Sequence, residues 1–133
     1  MGLERMRRIL VVDDDPLICA MLRDVLEDEG YLVQTAGDGQ AALESIGATE
    51  PDLLITDVMM PGLAGWSLLP RARQRFPMLP VLLISAIDPG PGLASRDPLL
   101  RPPTLFLAKP FALEELLAIV ARLTSGDRDH AGS

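Results

Sequence analysis

The chain alternates between two hydrophobic rhythms. Four short, nearly unbroken apolar runs each stop on a polar or charged group: Ile9 to Val12 before Asp13, Leu53 to Thr56 before Asp57, Val81 to Ile84 before Ser85, and Thr104 to Ala108 before Lys109. Runs of this length, rich in branched aliphatics, predict strands covered on both faces. Tyr31 to Ala36 is a fifth strand, closed by the turn "GDG" of Gly37 to Gly39.

Between the strands the apolar period lengthens to that of a helix. Leu17, Ile18, Met21, Leu22, Val25 and Leu26 fall on one stripe. Asp15 is positioned as the N-cap of that helix, Pro16 as its first residue and Gly30 as its stop. Gln40 to Ile46 predicts a short second helix. Trp66 to Phe76 predicts a third, with Leu68, Leu69 and Ala72 inward, Arg71, Arg73 and Arg75 mostly outward, and Pro70 awkwardly inside or in its first turn. Leu113 to Leu123 is an apolar last helix, with Glu114 and Glu115 in the first turn, where the helix dipole favours acids.

Strands alternating with helices predict an α/β fold, a doubly wound parallel sheet with helices on both faces. A length of 133 residues suits one domain. The boundaries read as a leader over 1–7, a domain over 8–123 and a polar, disordered tail over 124–133 that contains the one histidine, His130. Hydrophobic residues reach 48% with aromatics at only 4%, so aliphatic side chains must fill the core. The net charge of −7 argues against direct binding of nucleic acid or an anionic membrane surface. A single cysteine, Cys19, excludes an internal disulfide and reads as a buried helix thiol. The start "MGLERMRRIL" has no signal-peptide core, Gly2 lacks the context of a myristoylation site, and no run is long enough to span a bilayer. A cytoplasmic setting is expected.

In an open parallel sheet, ligands bind beyond the carboxyl ends of the strands. Those ends carry Asp13 and Asp14, Asp57, Ser85 and Lys109. "ILVVDDDP", "LLITDVMMPGLAG", "VLLISA" and "LFLAKPF" together resemble the receiver domain of two-component response regulators, with a chemotaxis-regulator-like pattern running from about Arg8 to Leu123. The resemblance implies a flavodoxin-like five-stranded sheet of order 2-1-3-4-5. It implies that Asp57 is a phosphoacceptor attacking a phosphohistidine, and that Mg²⁺ (or Mn²⁺) is held by Asp14 and Asp57 directly, by Asp13 through water and by the Met59 backbone carbonyl. Lys109, before a cis Pro110, would pair with a phosphoryl oxygen, and Ser85 would donate to another. The implied partners are a sensor histidine kinase or phosphotransfer protein and a downstream target, with the chain a monomer or weak dimer and a signalling protein rather than an enzyme.

The same resemblance makes Ser85 and Phe106 a switch, with Phe106 turning as Ser85 moves toward the phosphoryl group. It makes Met59 and Ile87 the positions that set phosphoryl lifetime; both are apolar here and unable to orient water, so slow self-dephosphorylation is expected. Where receivers place a helix between the fourth and fifth strands, this chain has "IDPGPGLASRDPLLRPP". Pro89, Pro91, Pro98, Pro102 and Pro103 argue for an irregular loop, since an interior proline costs a helix about 3 kcal/mol.

Two other readings compete. Asp13-Asp14-Asp15 after a strand also fits the D-x-D pattern of haloacid-dehalogenase-type phosphatases, with Asp13 as nucleophile and Asp15 as acid. Those enzymes need a later acidic pair at a strand end, whereas after Lys109 the acids lie only in a helix and the tail, and Pro16 and Leu17 replace the usual small residues. A receiver that docks a partner regardless of phosphorylation is the other.

Overall fold

The structure, a computed structural model, describes residues 6–57, 65–86 and 103–125. The elements run β1 (Arg8–Val12), α1 (Pro16–Asp28), β2 (Leu32–Ala36), α2 (Gly39–Ala48), β3 (Leu53–Asp57), α3 (Gly65–Arg75), β4 (Val81–Ser85), β5 (Thr104–Ala108) and α4 (Leu113–Leu123). All strand pairings are parallel and the order is β2-β1-β3-β4-β5, as the resemblance implies. Of the loop expected from Ile87 to Pro103 all but Pro103 lies outside the described residues, as do the tail beyond Ser125 and the "MMPGLAG" loop up to Ala64, Gly65 being the first residue of α3.

Strand alternation divides the core into two layers. Ile9, Val11, Leu53, Ile55, Leu82, Ile84, Leu105 and Leu107 pack against Leu22 and Leu26 of α1 and Leu116 and Val120 of α4. Their neighbours Leu10, Val12, Leu54, Val81 and Leu83 pack on the other side, against Ala42 and Ile46 of α2 and Leu68 and Ala72 of α3. Every residue of β3 and β4 is buried, which is why those runs show no alternation in the sequence.

The helix ends follow local rules. Asp15 caps α1 by accepting from the Leu17 N–H, and Asp38 caps α2 by accepting from the Ala41 N–H. At the far end of α1 the Gly30 N–H donates to the Glu27 carbonyl and the Tyr31 N–H to the Leu26 carbonyl, with Gly30 at φ +96°. This paired closure requires the left-handed backbone that glycine adopts without penalty.

Three sequence expectations change. Arg73, expected mostly outward, is half-buried: its Nε and Nη2 donate to the Leu79 carbonyl (3.1 and 2.9 Å) and Nη2 also to the Pro103 carbonyl (2.9 Å). A guanidinium can hold carbonyls from two strand starts at once, and that outweighs its solvation. The tail expected from Thr124 onward begins with a docked residue: Thr124 is buried, donates to the Val120 carbonyl and bonds the Tyr31 hydroxyl. The last residue of the expected leader is likewise tied to the sheet, since the Arg7 carbonyl accepts from the Leu32 N–H at the start of β2.

A methyl group at Gly30 would meet nothing within 4 Å, so Gly30→Ala tests backbone conformation alone. It should cost about 1–2 kcal/mol, read as a lower urea midpoint at unchanged m value.

Candidate functional site

Strand register sets the site. Val12 pairs with Thr56, Asp57 with Ile84, and Ser85 with Ala108. The residues just beyond, Asp13 and Lys109, therefore lie level with Asp57 and Ser85 on one edge of the sheet, neighbouring strands being about 4.8 Å apart. Asp57, last in β3, is buried, as are Asp13 and Ser85.

Carboxylate oxygens of Asp13, Asp14 and Asp57 all lie within 4.8 Å of one another. Lys109 reaches back over them. Its Nζ donates to Asp57 Oδ2 at 2.8 Å and stands 3.6 Å from Asp13 Oδ2. The Lys109–Pro110 peptide is cis, as the resemblance implies, and the Lys109 N–H donates to the Ser85 carbonyl.

Electrostatics follow from burial and crowding. Burial raises the Asp13 pKa above the usual carboxylate value; the Asp15 N–H and the Lys109 charge pull it down, and Asp57 and Asp14 push it further up. Burial of Lys109 works to lower its pKa, but the hydrogen bond to Asp57 and the charges of Asp13 and Asp57 more than offset this and raise it. The ammonium is therefore held charged.

The acidic loop is fixed by its own hydrogen bonds. The Asp13 N–H donates to the Ala36 carbonyl, the Asp15 N–H to Asp13 Oδ1, and the Leu17 N–H to Asp15 Oδ1. Asp15 thus acts as a helix cap, which leaves its carboxylate poorly suited to the acid role of the phosphatase reading. The Cys19 thiol donates to the Asp13 carbonyl at 3.3 Å. Burial raises its pKa, so the thiol is retained. The sequence predicted a buried Cys19 but not this contact; its place one turn after the Asp15 cap, on the inward face of α1, is the signal that points to it.

Phe106 is half-buried and packs on the α2–α3 side of the sheet. It pairs with Leu83, two residues before Ser85 and on the same face of β4, so Ser85 and Phe106 are diagonal neighbours. Met59 and Ile87 lie outside the described residues.

Three carboxylates, two of them buried, with a lysine at their rim, form a hard, oxygen-only donor set. Such a set suits Mg²⁺ or Mn²⁺ and disfavours metals that need nitrogen or sulfur. Among the described residues no helix is long and apolar enough to cross a membrane.

Known proteins resemble this chain in sequence and fold. The response regulator receiver domain model matches residues 9–121. Response regulator MprA of Mycobacterium ulcerans is 45% identical over 117 residues, covering 84% of this chain and 47% of that protein. The chain spans about half the length of the curated relatives it matches. Among solved structures, chemotaxis protein CheY4 of Vibrio cholerae, crystallised at low pH, is 31% identical, with a TM-score of 0.77 over 90% of this chain and 99% of that one. Response regulator TrrA of Thermotoga maritima, solved in complex with Mg²⁺–BeF, is also 31% identical, with a TM-score of 0.77 over 89% and 99%. Family model and fold thus agree along nearly the whole chain, which belongs to the response regulator receiver domain family.

Proposed function

We propose that residues 8–123 act as a phosphoacceptor receiver unit, taking a phosphoryl group from a phosphohistidine donor onto Asp57. The observation that carries the reading is the contact of one ammonium, Lys109 Nζ, with Asp57 at a rim where three carboxylates converge. A buried nucleophile, a cation beside it and a hard-metal donor set are what phosphoryl transfer requires.

An Asp57 carboxylate oxygen attacks phosphorus, the phosphorus–nitrogen bond of the donor breaks, and the imidazole leaves with that electron pair. Asp14 and Asp57 would hold Mg²⁺ directly and Asp13 through water, with the carbonyl of Met59, which lies outside the described residues, as the further ligand the resemblance implies; TrrA, similar in fold and sequence, was solved with Mg²⁺–BeF. When bound, the ion neutralises the negative charge that the carboxylates and phosphoryl oxygens bring together. Lys109 transfers its hydrogen bond from Asp57 to a phosphoryl oxygen. Ser85 donates to another once the acyl phosphate exists, and Phe106, on the same face of the sheet, moves with it to alter the surface a partner reads.

The unit is a signalling switch that catalyses its own phosphorylation and, slowly, its own dephosphorylation. Its donor is a sensor histidine kinase or phosphotransfer protein, and its setting is cytoplasmic. Acidic overall, it makes no direct contact with nucleic acid or membrane through this domain.

Incubation with Mg²⁺ and acetyl phosphate should add the mass of one phosphoryl group, and Asp57→Ala should abolish the gain. A gain that survives in Asp57→Ala but disappears in Asp13→Ala would favour phosphatase chemistry, and no gain in either protein would favour a receiver that docks without phosphorylation. Lys109→Met should leave Mg²⁺ affinity intact and slow phosphorylation by about 10²-fold or more, measured by the rate of mass gain. Met59→Asn, which supplies an amide able to orient water, should shorten the phosphoryl lifetime; an unchanged decay would remove Met59 and Ile87 from lifetime control.

A further inference from the structure

Two exposed helix faces on opposite sides of the sheet carry opposite charge at matching intervals. On α1, Met21, Asp24 and Asp28 follow at steps of three and four, with Leu17 extending the line toward the acidic loop. Asp24 and Asp28 are exposed, and the apolar members are exposed too, Leu17 by 78% and Met21 by 36%. Arg23 does not interrupt the stripe, because its guanidinium turns to Thr35 Oγ1 on β2. From α3 into the turn beyond it, Arg71, Arg75 and Met78 follow at steps of four and three, all exposed, Met78 by 52%.

Helix energetics does not account for these charges. Asp24 and Asp28 stand toward the C-terminal end of α1, where the dipole disfavours acids; the last turn holds no basic residue, and the one arginine nearby, Arg23, is turned to Thr35. Arg75 suits the last turn of α3, but Arg71 lies a turn further in. No acid occurs anywhere between Asp57 and Asp88, so the basic face has no carboxylate near it in sequence.

We propose that copies of this chain associate head to tail, the α1 face of one lying antiparallel on the α3 face of the next. In that register Met21 meets Met78, Asp24 meets Arg75 and Asp28 meets Arg71. The occupant is a second copy because the complementary spacing is carried by this chain itself. The contact is heterologous, so assembly is open-ended rather than a closed dimer. Exposed ion pairs contribute little each, and the net charge of −7 opposes approach, so the association is weak.

Salt screens both the overall repulsion and the pairs, so charge exchange is the sharper test. Sedimentation equilibrium of the 133-residue chain at millimolar concentration should give an average mass that climbs above one chain as concentration rises. Arg71→Glu with Arg75→Glu should remain monomeric. Asp24→Arg with Asp28→Arg should also remain monomeric, although it carries less net negative charge than the wild type and would associate more readily if general repulsion governed. Mixing the two variants should restore association. Removing one pair by Asp28→Ala should weaken it about 1.5- to 5-fold. All these positions are exposed, and an unchanged far-UV spectrum checks the fold. A wild-type chain that stays monomeric, or a mixture that fails to recover, overturns the proposal, as does self-association that survives in both variants.

Discussion

The contact between Lys109 and Asp57 is the constraint that the sheet is organised around. Asp57 and Asp13 are both buried, one at the end of β3 and the other just past the end of β1, so the β1–β3 pairing holds their backbones side by side. Buried like charges at that spacing are costly unless a cation is shared between them. Lys109 is that cation, at 2.8 Å from one and 3.6 Å from the other. It reaches them because β5 ends level with β4 and the Lys109 N–H is held by the Ser85 carbonyl.

Around this contact the surrounding polar groups are committed in advance. The main chain of the acidic loop is bonded to β2, to its own carboxylates and to the Cys19 thiol, so Asp13 and Asp15 are already oriented. A site assembled this way gives up little conformational entropy when a ligand arrives. Every residue of β3 and β4 is buried, and these strands carry Asp57 and its neighbour Ser85 at their ends.

Most of this was legible in the sequence, for a physical reason. A strand buried on both faces must be apolar throughout, so the first polar residue after it marks where the chain leaves the core. Asp13, Asp57, Ser85 and Lys109 are each such a residue, and parallel topology brings such residues to one edge. The Asp15 cap was legible because it acts within three residues of itself, whereas Asp38, read as part of the Gly37–Gly39 turn, caps α2 in the same local way. Long-range contacts of polar side chains were not legible. Arg73 looks like a solvated arginine on a helical wheel, and only the fold brings the Leu79 and Pro103 carbonyls to it. Thr124 looks like the start of a polar tail, and its partner Tyr31 is 93 positions away. The cysteine beside the Asp13 carbonyl is intermediate, local enough to suspect but distinguishable from ordinary core only by coordinates.

Arg73 fixes something else. The chain leaves the sheet at Ser85, whose carbonyl is held by the Lys109 N–H, and returns at Pro103, whose carbonyl is held by Arg73 and by the Val81 N–H. Departure and return are thus moored independently of what is strung between them. Closing a longer excursion costs only about 0.6 kcal/mol per doubling of length. The connection between Ser85 and Pro103 can therefore vary in length at little cost to the anchoring of the strands at either end.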